Sequence, residues 1–187
     1  MNVRALQFFF VAATSWCLGD ALAHASLSSG VTYSFNFTDI DGKKLSTAEG
    51  HITLLVLAGT ADGEKARAVG EGVPDHCLGN ADYKMITIIR FARSHTAVGR
   101  RIATVFIRHR INTAAKRLQA RYDGQKIVRD AREDIFVVPD FDGTASSQLV
   151  EQSKGTEFQV LVFARDGKLL AQWTDVPSPK QLADVLK

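Results

Sequence analysis

The sequence predicts one α/β domain with a central mixed sheet flanked by helices, on three observations. Two near-continuous apolar runs, Ile52–Ala58 and Met85–Phe91, read as strands buried on both faces, the pattern of a parallel sheet. A segment of helical composition follows each run, so strands and helices alternate through the first half and imply right-handed crossovers. The second half closes on a strand–turn–strand pattern around Arg165-Asp166-Gly167-Lys168 and a last helix, which adds an antiparallel part to the sheet.

The chain has 187 residues, enough for one domain with a substantial core. Its formal net charge of +3 names no partner by itself. The N-terminus reads as a secretory signal: Arg4 is followed by an apolar run from Ala5 to Leu18, then by small residues that fit cleavage after Ala23 or Ala25. The run is short for a membrane span, although an uncleaved anchor stays open, and Asp20 is unusual at its place. The expected division is a signal peptide over residues 1–25 and a domain over 26–187, exported to the periplasm or secreted. Cys17 lies in the signal behind the bulky Trp16, which argues against lipidation. Cys77 is then the single cysteine of the mature chain, which has no internal disulfide.

Taken in order, Val31–Phe37 alternates as a strand, and Asp39-Ile40-Asp41-Gly42 is turn chemistry. The same D-x-D-G recurs at Asp140-Phe141-Asp142-Gly143, but neither copy has the spaced ligands and closing Glu of a calcium loop. A helix is expected from Gly63 to Gly72, ended by Gly70, Gly72 and Pro74. A long helix follows Met85–Phe91, with Val98, Ile102, Val105, Phe106, Ile111, Leu118 and Tyr122 mostly at three- and four-residue steps. Its middle, TVFIRHRI, has the β-branched content of a strand, but Ala114 to Gln119 continue the helical pattern up to the stop at Asp123-Gly124. Ile135–Val138 is a short strand bounded by Pro139, Gly143–Lys154 holds a short helix, and Phe158–Ala164 and Leu169–Thr174 form the hairpin. Ser178-Pro179 opens the last helix, which buries Leu182, Val185 and Leu186.

Chemistry-bearing motifs are few. There is no G-x-S-x-G, P-loop or dinucleotide fingerprint, and the five histidines lack ligand spacing, so neither a cofactor nor a metal is expected. Cys77, in Asp75-His76-Cys77, is either a bland buried thiol or a nucleophile activated by its neighbour. Residues Arg100 to Lys126 hold eight Lys/Arg and one acid, Asp123. Arg108, Arg110 and Arg117 on this helix are either a solvated face or a docking face for an acidic partner or an anionic membrane surface. Nucleic acid is not expected outside the cytoplasm, and the oligomeric state is not indicated.

Four pieces resemble the redoxin branch of the thioredoxin fold, the thiol-specific-antioxidant and disulfide-reductase type. They are FNFTDIDGKKLS, the ITLLVLAG strand before an exposed turn, VVPDFDGTASSQL, and the FQVLVFARDGKLLAQW hairpin. In order and spacing they cover residues 33 to 187. A narrower likeness is to the YtfJ-type periplasmic proteins, carried by Ala58-Gly59-Thr60 with Glu64-Lys65 and by Arg108 and Lys116-Arg117 ahead of VPDFDG.

The resemblance implies a reactive cysteine between Thr60 and Glu64, where TADGE has none, and a proline near Thr156-Glu157-Phe158, where none stands. Thiol–disulfide exchange needs a thiolate nucleophile. The leading expectation is therefore a non-catalytic binding or accessory module for a protein or peptide, using the degenerate loop Gly59, Thr60, Ala61, Asp62, Gly63 and Glu64 at a helix N-terminus. The alternative is a thiol-dependent oxidoreductase or peroxidase using Cys77.

Overall fold

The computed structural model describes residues 27–92, 95–149 and 158–187. The expected signal peptide lies outside the described residues, as do residues 150–154 of the expected helix after Gly143 and the pair Thr156-Glu157.

A small antiparallel ribbon of β1 (Asn36–Thr38) and β2 (Lys44–Ser46) precedes the main sheet. That sheet contains β3 (Ile52–Gly59), β4 (Tyr83–Arg90), β5 (Phe136–Asp140), β6 (Gln159–Phe163) and β7 (Leu169–Trp173), in spatial order β5-β4-β3-β6-β7. β4 runs parallel to β3, from Ile52 opposite Tyr83 to Gly59 opposite Arg90, and β5 runs parallel to β4. β6 pairs antiparallel with β3, and β7 antiparallel with β6, so the sheet is mixed as expected.

Every residue from Ile52 to Ala58 is buried, which is why β3 reads as an unbroken apolar run. Leu55, Leu57, Ile86, Ile88 and Leu161 face Phe37 and Leu45 of the ribbon and Ala145 of α3 (Thr144–Ser147). Leu54, Val56 and Val162 face the other way, toward Val69 of α1 (Gly63–Glu71) and Leu182 of α4 (Pro179–Val185). α2 (Ala97–Gly124) lies on this second face beside α1, with Ile107 and Ile111 against Val137 and Ile89. The alternation along β4 places Met85 under α1 and Ile89 under α2 on one face.

The local signals behaved unevenly. The last helix starts with a full capping box: Gln181 N donates to Ser178 Oγ at 3.3 Å and Ser178 N to Gln181 Oε1 at 2.8 Å, with Pro179 in the first turn. Leu182 and Leu186 are buried there, while Val185 is half-buried. The expected strand Val31–Phe37 is not continuous. Thr32 forms a single bridge with Lys168, and regular pairing begins at Asn36. The segment changes partner midway: Gly30, Val31 and Tyr33 bond to Leu169 and Gly167 of the hairpin, whereas Asn36–Thr38 pair with β2 across a turn in which Asp39 Oδ1 accepts from Asp41 N (2.9 Å) and Lys43 N (2.8 Å). Pro139 does not bound β5 but lies inside it, opposite Ile89. β5 is an edge strand, where the missing N–H costs no ladder bond.

The largest correction concerns α2. Ile111 and Tyr122 are buried, and Ile107 joins them, but Val98 (67% exposed), Ile102 (54%), Val105 (67%) and Phe106 (66%) are not. The reason is direction. At about 100° per residue, Val98, Ile102, Val105 and Phe106 fall on the side of α2 opposite Ile107 and Ile111, which pack on the sheet.

Candidate functional site

β3 delivers the chain to the carboxyl edge of the sheet, where open α/β sheets place their sites. The loop there is closed on itself: Gly59 N donates to Asp62 Oδ2 (2.9 Å) and Asp62 N to Gly59 O (3.1 Å). The Asp62 carboxylate is engaged within the loop, so no side chain caps the N-terminus of α1. Thr60, Ala61, Gly63 and Glu64 are exposed, and Glu64 pairs with Arg67.

Arg110 reaches this loop from α2. Its Nη1 lies so near Gly63 that a Cβ at that position would stand 3.3 Å from it. A groove of about 1000 Å³ runs between α1 and α2 from the loop inward. Its floor includes Leu54, Met85, Thr87 and Ile89, and Phe106, Arg110 and Arg117 stand on its α2 side. The arginines expected to form one docking face are thus divided. Arg110 and Arg117 line the groove, while Arg108 turns away, 3.3 Å from Asp41 Oδ1 and donating to Ile40 O at 3.3 Å.

Cys77 sits far from the loop in sequence order, in a 3-10 turn over Asp75–Cys77 at the inner end of the groove. It is buried, and burial pushes its thiol up to about 11. His76 does not serve it as a base: His76 Nε2 donates to the Leu186 carbonyl at 2.9 Å, and its ring meets Tyr83 edge-on. The inner end is locked by residues that no motif announced. Tyr122 Oη donates to Asp134 Oδ2 (2.7 Å) and accepts from Gly79 N (3.0 Å), and Arg121 ties α2 to the end of α1. Burial and the Asp134 carboxylate together hold the Tyr122 phenol well above its ordinary range.

His51 is buried at the opposite, amino end of β3, outside the groove. Burial first, then Lys84, holds its imidazole below the ordinary value and favours the neutral ring. Among the described residues no group of three His, Cys, Asp or Glu comes together to hold a metal ion. No helix among them is long and apolar enough to cross a membrane.

No protein-family model matches the sequence, and no curated protein matches it. Solved structures do. A thiol:disulfide interchange protein DsbE from Chlorobium tepidum aligns with TM-score 0.52 and 13% identity, over 87% of this chain and 100% of that one. A protein disulfide isomerase from Bacteroides thetaiotaomicron aligns with TM-score 0.51 and 14% identity, over 86% of this chain and 91% of that one. The C-terminal domain of a thiol-disulfide oxidoreductase from the same organism aligns with TM-score 0.50 and 13% identity, over 85% and 96%. At such identities the likeness is one of fold. The chain has a thioredoxin-like fold, a mixed five-stranded sheet with flanking helices, and its β3–α1 junction, TADGE, holds no cysteine.

Proposed function

We propose that this chain is an exported thioredoxin-fold binding module that performs no thiol–disulfide exchange. It receives a protein or peptide segment at the Gly59–Glu64 loop and the adjoining groove. The observation that carries this reading is the pairing of a cysteine-free junction with a buried, unactivated thiol. A thiol with a pKa of about 11 is ionised in about one molecule in ten thousand at pH 7, far too few for an exchange nucleophile. The loop, by contrast, keeps its exposed position at the start of a helix, opens onto an apolar floor and has a guanidinium beside it. The apolar run after Arg4 and the small residues at Ala21–Ala25 support export.

Insulin reduction and peroxide consumption, measured on wild type and Cys77→Ser, test the chemistry. Neither protein is expected to show activity, and a wild-type activity lost in Cys77→Ser overturns the reading in favour of an oxidoreductase. N-terminal sequencing of the exported protein is expected to begin at His24 or Ser26. For the site, Thr60→Trp is expected to abolish capture of partners from the native envelope.

A further inference from the structure

We propose that the first half of α2 is an interfacial helix that seats the domain on an anionic lipid surface. Val98, Ile102, Val105 and Phe106 are each more than half exposed. Their steps of four, three and one residues place them in one stripe along the helix. That stripe lies away from Ile107 and Ile111, which face the sheet. Exposed apolar residues scattered singly need no explanation, but four in a row on one helix face form a patch of the kind that marks an interaction surface.

Charge identifies the partner. No Asp or Glu stands between Ala97 and Tyr122. Arg101 and Lys116 are exposed on this stretch and have no acidic partner among the described residues. The stripe and its cations occupy the side of α2 opposite the one packed on the sheet, and such an apolar row with basic residues beside it can lie along a bilayer interface. Long basic side chains there bury their stems and keep their heads among the phosphates. A second copy of the chain fits poorly, because two such faces would bring arginine against arginine with no acid between them.

The test uses the full chain with Phe106→Trp and vesicles whose acyl chains carry bromine, a short-range quencher. Subtracting wild-type emission removes Trp16 and Trp173 and isolates the introduced indole, whatever the N-terminal apolar run does. Quenching of that indole is expected on phosphatidylglycerol-containing vesicles and not on pure phosphatidylcholine. Raised salt, or Arg101→Glu with Lys116→Glu, is expected to lower partitioning by at least about tenfold. Circular dichroism confirms that the variants are folded. Three results overturn the proposal: emission of the introduced indole unchanged by the anionic vesicles, even when the protein binds them elsewhere; quenching that survives the charge reversal; or a concentration-dependent blue shift without lipid, which assigns the face to a second copy.

Discussion

Arg121 reaches from α2 to Asp75, with Nη2 2.9 Å from the carboxylate, and the same guanidinium donates to the carbonyls of Val73 (2.9 Å) and Gly70 (3.0 Å). One side chain therefore satisfies carbonyls at the end of α1 and fixes the separation of α1 and α2 at the inner end of the groove. Arg121→Ala leaves the Val73 carbonyl without its side-chain donor, leaves Gly70 O with backbone donors alone, and leaves Asp75 without its cation. The expected loss is about 2 kcal/mol of unfolding free energy, read by urea denaturation. Arg121→Lys is expected to recover only part of it, because an ammonium cannot span two carbonyls and a carboxylate as the planar fork does.

Stability is expected to fall on the alkaline side, and the sign follows from Cys77. Its thiol has an ordinary value of 9.0 and is pushed up to about 11 in the folded chain by burial. Between those values the unfolded chain has lost the proton that the native chain keeps. The unfolded state therefore binds fewer protons and gains on the native state as pH rises, by about 2 kcal/mol across the window. Tyr122, raised in the same direction by burial and Asp134, extends the loss above its ordinary value of 10.0. Cys77→Ala is expected to flatten the slope between pH 9 and 11 while leaving the Tyr122 part in place. Urea midpoints measured across that range give both slopes. An unchanged slope in Cys77→Ala would show that the thiol is not buried in solution.

Gly42 and Gly167 separate what the sequence discloses from what it conceals. Both stand in the tripeptide Asp-Gly-Lys, and both have positive φ, +84° and +83°. A Cβ at Gly42 meets nothing within 4 Å, whereas at Gly167 it would fall 2.2 Å from the Tyr33 carbonyl oxygen. Gly167 also accepts from Tyr33 N at 2.9 Å, the bond that holds the N-terminal segment to the β6–β7 hairpin. Gly42→Ala should cost about 1–2 kcal/mol, the penalty for a left-handed residue with a side chain. Gly167→Ala should cost about 4 kcal/mol or more, since the backbone itself must move. Thermal melts of the two variants side by side check the contrast.

The same division holds for the fold as a whole. A strand buried on two faces must be apolar throughout, so β3 was legible as a run. β4 was legible too, although only Ile86 and Ile88 of it are fully buried and its other face is half-covered, and the Ser178–Gln181 box is a local signal that needs no tertiary context. β2 was not legible, because Lys44-Leu45-Ser46 is too short and polar to stand out, and its pairing is set by the Asp39 turn. The periodicity of α2 disclosed the helix but not its exposed stripe, because apolar residues stand on two sides of it and only packing decides which side meets the sheet. That TADGE holds no cysteine could be read directly. The approach of Arg110 to Gly63 could not, since those residues meet only through the packing of two successive crossovers on one face.

That approach can be tested by placing a cysteine at the junction. Gly63 opens α1, no side chain caps the helix, and Arg110 stands beside it. The α1 N-terminus and the guanidinium both favour negative charge at this point. A cysteine introduced as Gly63→Cys, in a Cys17→Ser/Cys77→Ser background, meets only the far end of the flexible Arg110 side chain at 3.3 Å, which can yield. Its thiol is expected to titrate at least about one unit below the free-cysteine value of about 8.5, as thiols do at helix N-termini beside a cation. Adding Arg110→Ala should return part of that shift and leave the helix contribution behind. The pH dependence of iodoacetamide alkylation reads both values. A titration near the free-cysteine value of about 8.5 in the Arg110-containing protein would mean that neither the helix nor the guanidinium acts on this position, and the loop would lose its standing as an anion-favouring binding site.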